Sequence, residues 1–354
     1  MRHDPPEYYL IAAALTGGPG PAAREWNWER TIAIAAREGV LPGLHGMLNC
    51  PPDVADFLDA FYELNSVRNR QLLAELEELA LLLNSAGIEP VLLKGAAYLV
   101  AGVYDDPAAR LLSDIDLLIP REQSRQAYDL IVRAGYEPCT SYQVNHPTTL
   151  ICHHHPPLTK VDRLPVEIHH SLGMGACPAI LNAREVVDAS APIQLGRARV
   201  RLPAAHHLMT HLIMHSQVHH GAYCRIWPPL RSMLDLVRLN RRLPPDWEDV
   251  CEHFARHRRS ALLNVHLLQT ARVFDFVPPF PVASGGLRWL YRRTLWRETR
   301  LKYVDPIYMT SRILGKRLSL ALQLLKYPAG RKYVLTTPFR PRFYRNLVIE
   351  LTRD

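Results

Sequence analysis

Two aspartates stand in an otherwise apolar stretch, and their spacing could serve a metal ion. Asp114 and Asp116 lie within the segment LSDIDLLIP, residues 112–120. Residues two apart on a strand point to the same side, so both carboxylates would converge while Ile115 and Leu117 anchor the opposite side. Two like charges at this spacing repel each other and lose hydration. Bound Mg²⁺ or Mn²⁺ would offset that cost, because hard cations prefer oxygen ligands.

A third carboxylate, Glu167, occurs in a second segment with strand periodicity. In LPVEIHHSL, residues 164–172, apolar residues alternate with Glu167 and His169. If this strand lies beside the first, the three acids could hold two metal ions about 3.5–4 Å apart, which suits phosphoryl or nucleotidyl transfer. The alternative for Glu167 is an ordinary solvent-facing acid. His169 could support Glu167 or contact a substrate, and its alternative is a buried, hydrogen-bonded imidazole.

Lys94, Gly95 and Ala96 form a turn between a short apolar strand and a short helix, where a phosphate chain could bind. Glycine at such a turn lets backbone amides approach a triphosphate, the helix adds its N-terminal dipole, and lysine adds a charge. Arg110, four residues before Asp114, is a candidate for the same polyphosphate. Its alternative is an ion pair within the loop.

Histidines recur in two further patterns. Four of them follow one another every four residues on a predicted helix: His207, His211, His215 and His219. Adjacent pairs could chelate a transition metal, but the row spans about 18 Å and cannot serve one ion. We therefore favour packing, or a place along the substrate cleft, for these side chains. The segment CHHHPP, residues 152–157, contains His154 and His155, which are possible substrate contacts on a mobile loop near the site.

The order of these motifs resembles the nucleotidyltransferase fold of the DNA polymerase β superfamily. A strand, a Lys-Gly turn, a helix, an arginine and then SDIDLL, residues 113–118, follow one another along the chain. More narrowly, the chain is similar to an uncharacterised bacterial nucleotidyltransferase family. That family's pattern has LKG, Tyr, Arg and DIDLL, then a helix ending in Gly-Tyr, here Gly135 and Tyr136, and then a strand with an acid and a histidine. Motifs on both flanks match as well, so the resemblance covers most of residues 26–270.

This resemblance implies an α+β fold, with a small mixed-sheet nucleotidyltransferase core embedded between N-terminal and C-terminal helical regions. It implies NTP as co-substrate and Mg²⁺ or Mn²⁺ as cofactor, with Asp114, Asp116 and Glu167 as metal ligands and catalytic residues. The residues expected to bind the nucleotide are Lys94, Gly95, Ala96, Arg110 and Ser113. The superfamily's usual Gly-Ser is absent after the first strand, so the Lys-Gly-Ala turn offers no hydroxyl to a phosphate.

We expect four regions along the chain. Residues 1–85 have a helical pattern, with leucines at three- and four-residue spacing in a helix that starts at a Ser66 cap. Residues 86–176 form the α/β core, and residues 177–276 return to helical patterns. The Pro- and Gly-rich VPPFPVASGG opens the last region, residues 277–354, as a linker followed by a basic C-terminal part.

The positive charge of the chain is concentrated near its C-terminal end. The 354 residues carry a formal net charge of +8. Residues 287–354 contain 16 Lys and Arg against 4 Asp and Glu, so the rest of the chain is net negative. Such a block could bind nucleic acid, an anionic membrane surface or an acidic partner, or could be a solvated basic face. The sequence has neither an apolar run long enough for a membrane span nor a signal peptide nor a Cys-x-x-Cys pair, so we expect a cytoplasmic protein.

These residues predict an enzyme that moves NMP from an NTP to a hydroxyl acceptor with the help of two metal ions. The acceptor is open between a small molecule, a sugar, a peptide and tRNA. Transfer of the γ-phosphate is a second enzymatic alternative. In a third alternative, the protein is a non-catalytic binding protein, whose basic C-terminal region engages nucleic acid or another anionic partner on a degenerate nucleotidyltransferase scaffold.

Overall fold

The fold combines a mixed β-sheet with surrounding helices, which confirms the predicted α+β class. The computed structural model describes residues 6–17, 26–46, 50–139, 152–174, 177–219, 229–282, 318, 321–322 and 324–336. The helices are α1 (Pro6–Leu15), α2 (Trp28–Arg37), α3 (Pro52–Asn84), α4 (Lys94–Val100), α5 (Arg121–Arg133), α6 (Cys177–Ile180), α7 (Ala183–Asp188), α8 (Ala205–Met214), α9 (Leu230–Arg242), α10 (Trp247–Arg256), α11 (Ser260–Phe274) and α12 (Pro328–Thr336). The strands are β1 (Val91–Leu92), β2 (Ile115–Leu118), β3 (Glu137–Pro138), β4 (Leu158–Thr159), β5 (Val166–His169), β6 (Ala191–Leu195) and β7 (Ala198–Leu202).

The described strands form one sheet in the order β3-β4-β5-β2-β1-β7-β6. Its central strand β2 pairs in parallel with β5 and antiparallel with β1. Ile115, Leu117 and Leu118 of β2 are fully buried, as expected for a strand that is covered on both faces. In the register of β2 and β5, Asp116 lies directly opposite Glu167. The topology therefore brings two of the predicted acids side by side.

The long helix α3 packs an apolar stripe into the core. The leucines of this stripe belong to the hydrophobic cluster that also contains the central strands: Leu72, Leu76, Leu79 and Leu83. Spacings of three and four residues place them on one face of the helix, as predicted. The helix begins at Pro52, so the predicted start at Ser66 is wrong. Proline suits the first helical turn because it lacks a backbone N–H, and no helical hydrogen bond requires one there.

Helix α9 contributes to both hydrophobic clusters of the described chain. Leu236 and Leu239 pack in the main cluster, around the sheet. Leu230, Met233 and Leu234 pack in a second cluster, with residues of α1 and α2. Helices α3 and α11 also have residues in both clusters, so these three helices together join the N-terminal helices to the sheet.

The sheet continues past residue 176, where the sequence predicted a return to helices. The hairpin of β6 and β7 turns at Gly196, whose φ of 55° is left-handed, and β7 pairs in parallel with β1. Strand β6 is the edge of the sheet and is mostly exposed, so it lacks the strong apolar alternation that reveals a strand. The predicted core of residues 86–176 therefore omits two strands.

The start of the predicted linker packs on the main cluster. Phe280 and Val282 lie against it, with the ring of Phe280 centred 6.2 Å from that of Trp247. The apolar packing of the helical region thus extends into residues 277–282. Most of the basic region 287–354 lies outside the described residues. Within the described part of the chain, no helix has both the length and the apolar character that crossing a membrane requires.

Candidate active site

A compact group of ionisable side chains lies on β2 and β5. One ligand atom each from Asp116, Glu167 and His169 lies within 4.8 Å of the other two. Asp116 is only 2% exposed, whereas the side chain of Glu167 keeps a fifth of its surface open. The parallel pairing of the strands explains this convergence, because residues in register on neighbouring strands have adjacent side chains on one face. The group is therefore fixed by the sheet itself.

Asp114 lies at the edge of this group rather than within it. Pairing of β2 starts at Ile115, so Asp114 precedes the strand, half-buried, and accepts a hydrogen bond from Ser113 Oγ at 2.8 Å. Burial raises the pKa of Asp114, and the negative charge of Asp116 raises it further. The structure thus places His169, and not Asp114, in one group with Asp116 and Glu167.

Two nitrogen groups share one oxygen of Asp116. Lys94 Nζ and His169 Nε2 each lie 2.7 Å from Asp116 Oδ1. Burial alone would raise the pKa of Asp116, but the Lys94 charge and the His169 hydrogen bond outweigh burial and lower it. A buried carboxylate needs such partners to remain ionised. Asp116 is therefore held as a carboxylate at neutral pH.

His169 bridges the two acids of the strands. Its Nε2 lies 3.2 Å from Glu167 Oε2 as well as near Asp116, and its ring is 1% exposed. Burial would lower the pKa of His169, but hydrogen bonds to Asp116 and then Glu167 raise it. The same contact lowers the pKa of Glu167 against the effect of its own burial. The buried hydrogen-bonded imidazole that the sequence allowed for His169 is thus found, in contact with the acids.

Lys94 reaches Asp116 from a strained backbone position. It is the first residue of α4 and has a φ of 48°, in the left-handed region. Outside glycine this conformation is uncommon and costs about 1–3 kcal/mol. Burial would lower the pKa of Lys94, but Asp116 outweighs it and raises the pKa. Strained residues cluster at functional sites, where the surrounding structure holds them in place.

Gly95 and Ala96 are buried in the first turn of α4. A Cβ on Gly95 would lie 1.9 Å from Leu112 Cδ2, so a larger residue would require this buried leucine to move. The structure thus gives Gly95 a packing reason, which is separate from the phosphate contact that the sequence predicts for it. That contact stays a prediction for Gly95 and Ala96, as it does for the exposed Ser113.

Arg110 is buried in an ion pair with α9. Its Nε and Nη2 donate to the two carboxylate oxygens of Asp235 at 2.8 and 2.9 Å, and Nη1 donates to the carbonyl of Leu111. The Tyr104 hydroxyl also donates to Asp235, at 2.5 Å. The guanidinium thus forms an ion pair, the alternative that the sequence left open, although with a partner on α9 rather than in its own loop. Its predicted contact with a polyphosphate stays untested.

Two asparagines of α3, which the sequence did not single out, hold the same segment. The amides of Asn65 and Asn69 both donate to the carbonyl of Arg110, at 3.1 and 2.8 Å, and also reach into the 3₁₀ turn Pro107–Ala109. Their signal in the sequence is two amides four residues apart, in line with the buried leucines of α3. Buried amides of this kind require partners, which the turn provides.

Arg231 of α9 is a further cation that the sequence did not reveal. Burial lowers its pKa, the charge of Arg110 lowers it further, and Asp235 and Asp114 act in the opposite direction. Within the part of the chain that the structure describes, Arg231 forms no ion pair. A half-buried and unpaired guanidinium within electrostatic reach of Asp114 can attract an anion.

The CHHHPP segment is paired with β5 rather than being a free loop. His154 forms a β-bridge with His169, and the His155 amide donates to the carbonyl of Ile168 at 2.9 Å. The ring of His154 is centred 5.3 Å from that of His169, while His155 turns away and lies 3.1 Å from Ser124 Oγ. Of the two predicted substrate contacts, His154 therefore lies near the acids. The prediction of a mobile loop is wrong for His154 and His155, because backbone hydrogen bonds hold them against β5.

The predicted row of histidines runs along α8 and the π-helical turn that follows it, His215–His219. His207 and His211 are buried among the helices, at 2% and 5% exposure. Among the side chains that the structure describes, no histidine of this row joins the acids on the strands. Packing, the interpretation favoured from the sequence, agrees with the position of these two rings.

Comparison with known proteins gives one assignment. A family model, described as that of an uncharacterised nucleotidyltransferase, matches residues 24–275. No curated protein and no solved structure matches the chain significantly. The matched residues include every side chain of the site above and the whole seven-stranded sheet. Because the match spans well over half of the sequence, the chain belongs to this nucleotidyltransferase family.

Proposed function

We propose that the protein moves a nucleoside monophosphate from an NTP to a hydroxyl acceptor, with release of pyrophosphate. The observation that carries the proposal is the pairing of Asp116 and Glu167 in register on two parallel strands, within a chain of nucleotidyltransferase type. Adjacent carboxylates on a rigid sheet are the ligands that phosphoryl chemistry requires. The alternatives for the acceptor are a small molecule, a sugar, a peptide and tRNA. Experiment must identify which of these it is.

The side chains present fit a divalent cation. Asp116 and Glu167 offer carboxylate oxygens within one 4.8 Å group, and Asp114 adds a third carboxylate at its edge. Such oxygen donors suit Mg²⁺ and Mn²⁺, and the His169 nitrogen adds a donor that Mn²⁺ accepts more readily than Mg²⁺. When bound, two such ions would polarise the α-phosphate and promote ionisation of the acceptor hydroxyl.

The chain itself would position the reacting groups. Lys94 lies on the α4 side of the acids, where its ammonium can neutralise a phosphate as it neutralises Asp116. Arg231 is a second candidate cation for the phosphate chain, and the amides of Gly95 and Ala96 and the Ser113 hydroxyl are further proposed contacts. Arg110 would have a positioning role, because its ion pair with Asp235 fixes the segment that leads into β2. His169 would keep Asp116 and Glu167 aligned.

The test is transfer of label from NTPs labelled at the α-phosphate, with Mg²⁺ or Mn²⁺ and a cell extract as the source of acceptors. Asp116→Asn and Glu167→Gln should each reduce transfer by about 100-fold or more, since even residues that merely support metal ligands contribute 10–100-fold. The matched control is Asp129→Asn, a partly exposed residue of α5 that pairs with Arg125, which should leave the rate unchanged.

Three results would count against the proposal. Unchanged transfer by Asp116→Asn would remove the carboxylates from the mechanism. Label that moves only from the γ-phosphate would assign the protein as a phosphotransferase. Failure to bind any NTP in the presence of either metal would favour the non-catalytic alternative.

A further inference from the structure

Three histidines from two helices converge at a place that the carboxylate site does not use. His206 and His207 lie in the first turn of α8, and His253 lies on α10. One ring nitrogen from each lies within 4.8 Å of those of the other two. His207 and His253 are 2% and 6% exposed, whereas His206 keeps about a quarter of its side chain open to solvent. Two of the three histidines are thus buried, and solvent reaches the group at His206.

One of these imidazoles, that of His207, has a buried ring nitrogen without a partner in the described part of the chain. The Nδ1 of His207 is buried without a hydrogen-bond partner among the described residues. Buried polar atoms in folded proteins are nearly always satisfied, so an unpaired ring nitrogen beside two other imidazoles is available to a ligand. Burial lowers the pKa of His207 to about 4 and also lowers that of His253, and the neutral ring is the form that binds metal ions.

Two carboxylates flank the histidines. Asp249 Oδ2 lies 3.6 Å from His206 Nδ1, and Glu185 Oε1 lies 3.8 Å from His253 Nε2. Histidines that bind metals commonly have a carboxylate near the ring, which orients the imidazole and increases its basicity. Both acids come from neighbouring helical segments, α10 and α7.

We propose that His206, His207 and His253 bind a transition metal ion of the zinc type, with water or Asp249 as a fourth ligand. Imidazole nitrogens select such ions over Mg²⁺. Tetrahedral zinc with bonds of about 2.0–2.1 Å places its ligand atoms roughly 3.4 Å apart, so the group must contract, and the partly exposed ring of His206 is the one free to turn. The ion would join α8, which follows the sheet directly, to α10. This role is structural and independent of the nucleotide chemistry.

The experiment measures metal content and the visible spectrum of the full-length protein loaded with Zn²⁺ or Co²⁺. Wild type should retain one equivalent of Zn²⁺ after dialysis in excess Mg²⁺, and Co²⁺ should give the strong visible bands of a tetrahedral site. His253→Asn should lose this equivalent and these bands. The matched control His257→Asn, an exposed histidine just after α10, should keep both.

Two additions keep the result interpretable. His206→Asn changes the most exposed of the three rings, so it should lose the ion while the protein retains its fold by circular dichroism. Glu167→Gln alters the carboxylate site and should keep the Zn²⁺ equivalent, which separates the two sites. Absence of bound Zn²⁺ in wild type would overturn the proposal. So would Zn²⁺ binding by His253→Asn and His206→Asn that equals binding by wild type.

Discussion

At Asp116, a single carboxylate oxygen receives both the Lys94 ammonium and the His169 ring. The sequence predicted the acids of this site from period-two spacing, because side-chain direction on a strand depends only on position along it. It did not predict that Lys94 would pair with Asp116, since that contact depends on a left-handed backbone at Lys94. Nor did it predict that His169, rather than Asp114, would lie beside Asp116 and Glu167. That arrangement follows from the start of strand pairing at Ile115.

The raised pKa of His169 predicts a pH dependence of stability. A group whose pKa rises on folding stabilises the fold fully below its unfolded pKa, about 6.5 for histidine, and this stabilisation is lost as the pH rises through the folded value. In EDTA, wild type should therefore be more stable than His169→Gln at pH 6, and the difference should shrink toward pH 9. Urea unfolding across this range measures it.

The control for this prediction is a histidine whose ring lies in solvent. His257→Gln should give unfolding curves that match wild type at every pH in the series. A difference between wild type and His169→Gln that stays constant from pH 6 to 9 would contradict the assigned pKa direction.

The 3₁₀ turn Pro107–Ala109 ties the segment before β2 to the surrounding helices. Amides of α3 hold its carbonyls, and Asp235 of α9 holds Arg110 directly after it. The short strands β2 and β5 could be recognised from their apolar residues, and the stripe on α3 from its leucines. The partner of Arg110 could not, because 125 residues separate the two side chains along the chain. Contacts over such separations depend on packing that periodicity does not encode.

Removal of Asp235 should therefore destabilise the protein strongly. Asp235→Ala leaves the buried Arg110 guanidinium without its carboxylate, which typically costs about 3–5 kcal/mol. Asp246→Ala removes another aspartate, the N-cap of α10, and should cost only about 1 kcal/mol. Urea unfolding of both variants gives the comparison. Equal losses of unfolding free energy would mean that the buried pair contributes no more than a helix cap.

For the molecule as a whole, helices α3, α9 and α11 connect its parts, because each has residues in both hydrophobic clusters of the described chain. The predicted division into regions separated the N-terminal helices from later ones, whereas α9 packs with both hydrophobic clusters. Sequence patterns identify which face of a helix is apolar, but not which of two clusters each residue joins. The family match, which runs from residue 24 to 275, contains α9 and most of what it contacts.

Charge distribution gives a prediction at the same scale. A chain that ends at Gly286 loses the 16 Lys and Arg and 4 Asp and Glu of residues 287–354, so its net charge becomes negative. The full chain should bind a heparin column and elute with salt, because polyanion binding depends on cationic side chains. The shortened chain should pass through unretained. Equal retention of both would place the polyanion-binding surface elsewhere.

The left-handed backbone at Lys94 carries a consequence for how this site tolerates change. Glycine would adopt that conformation without penalty, so a Lys94→Gly protein would gain from relief of the backbone while it lost the ammonium beside Asp116. Relief of backbone strain would therefore favour glycine at position 94, whereas the ion pair with Asp116 requires lysine.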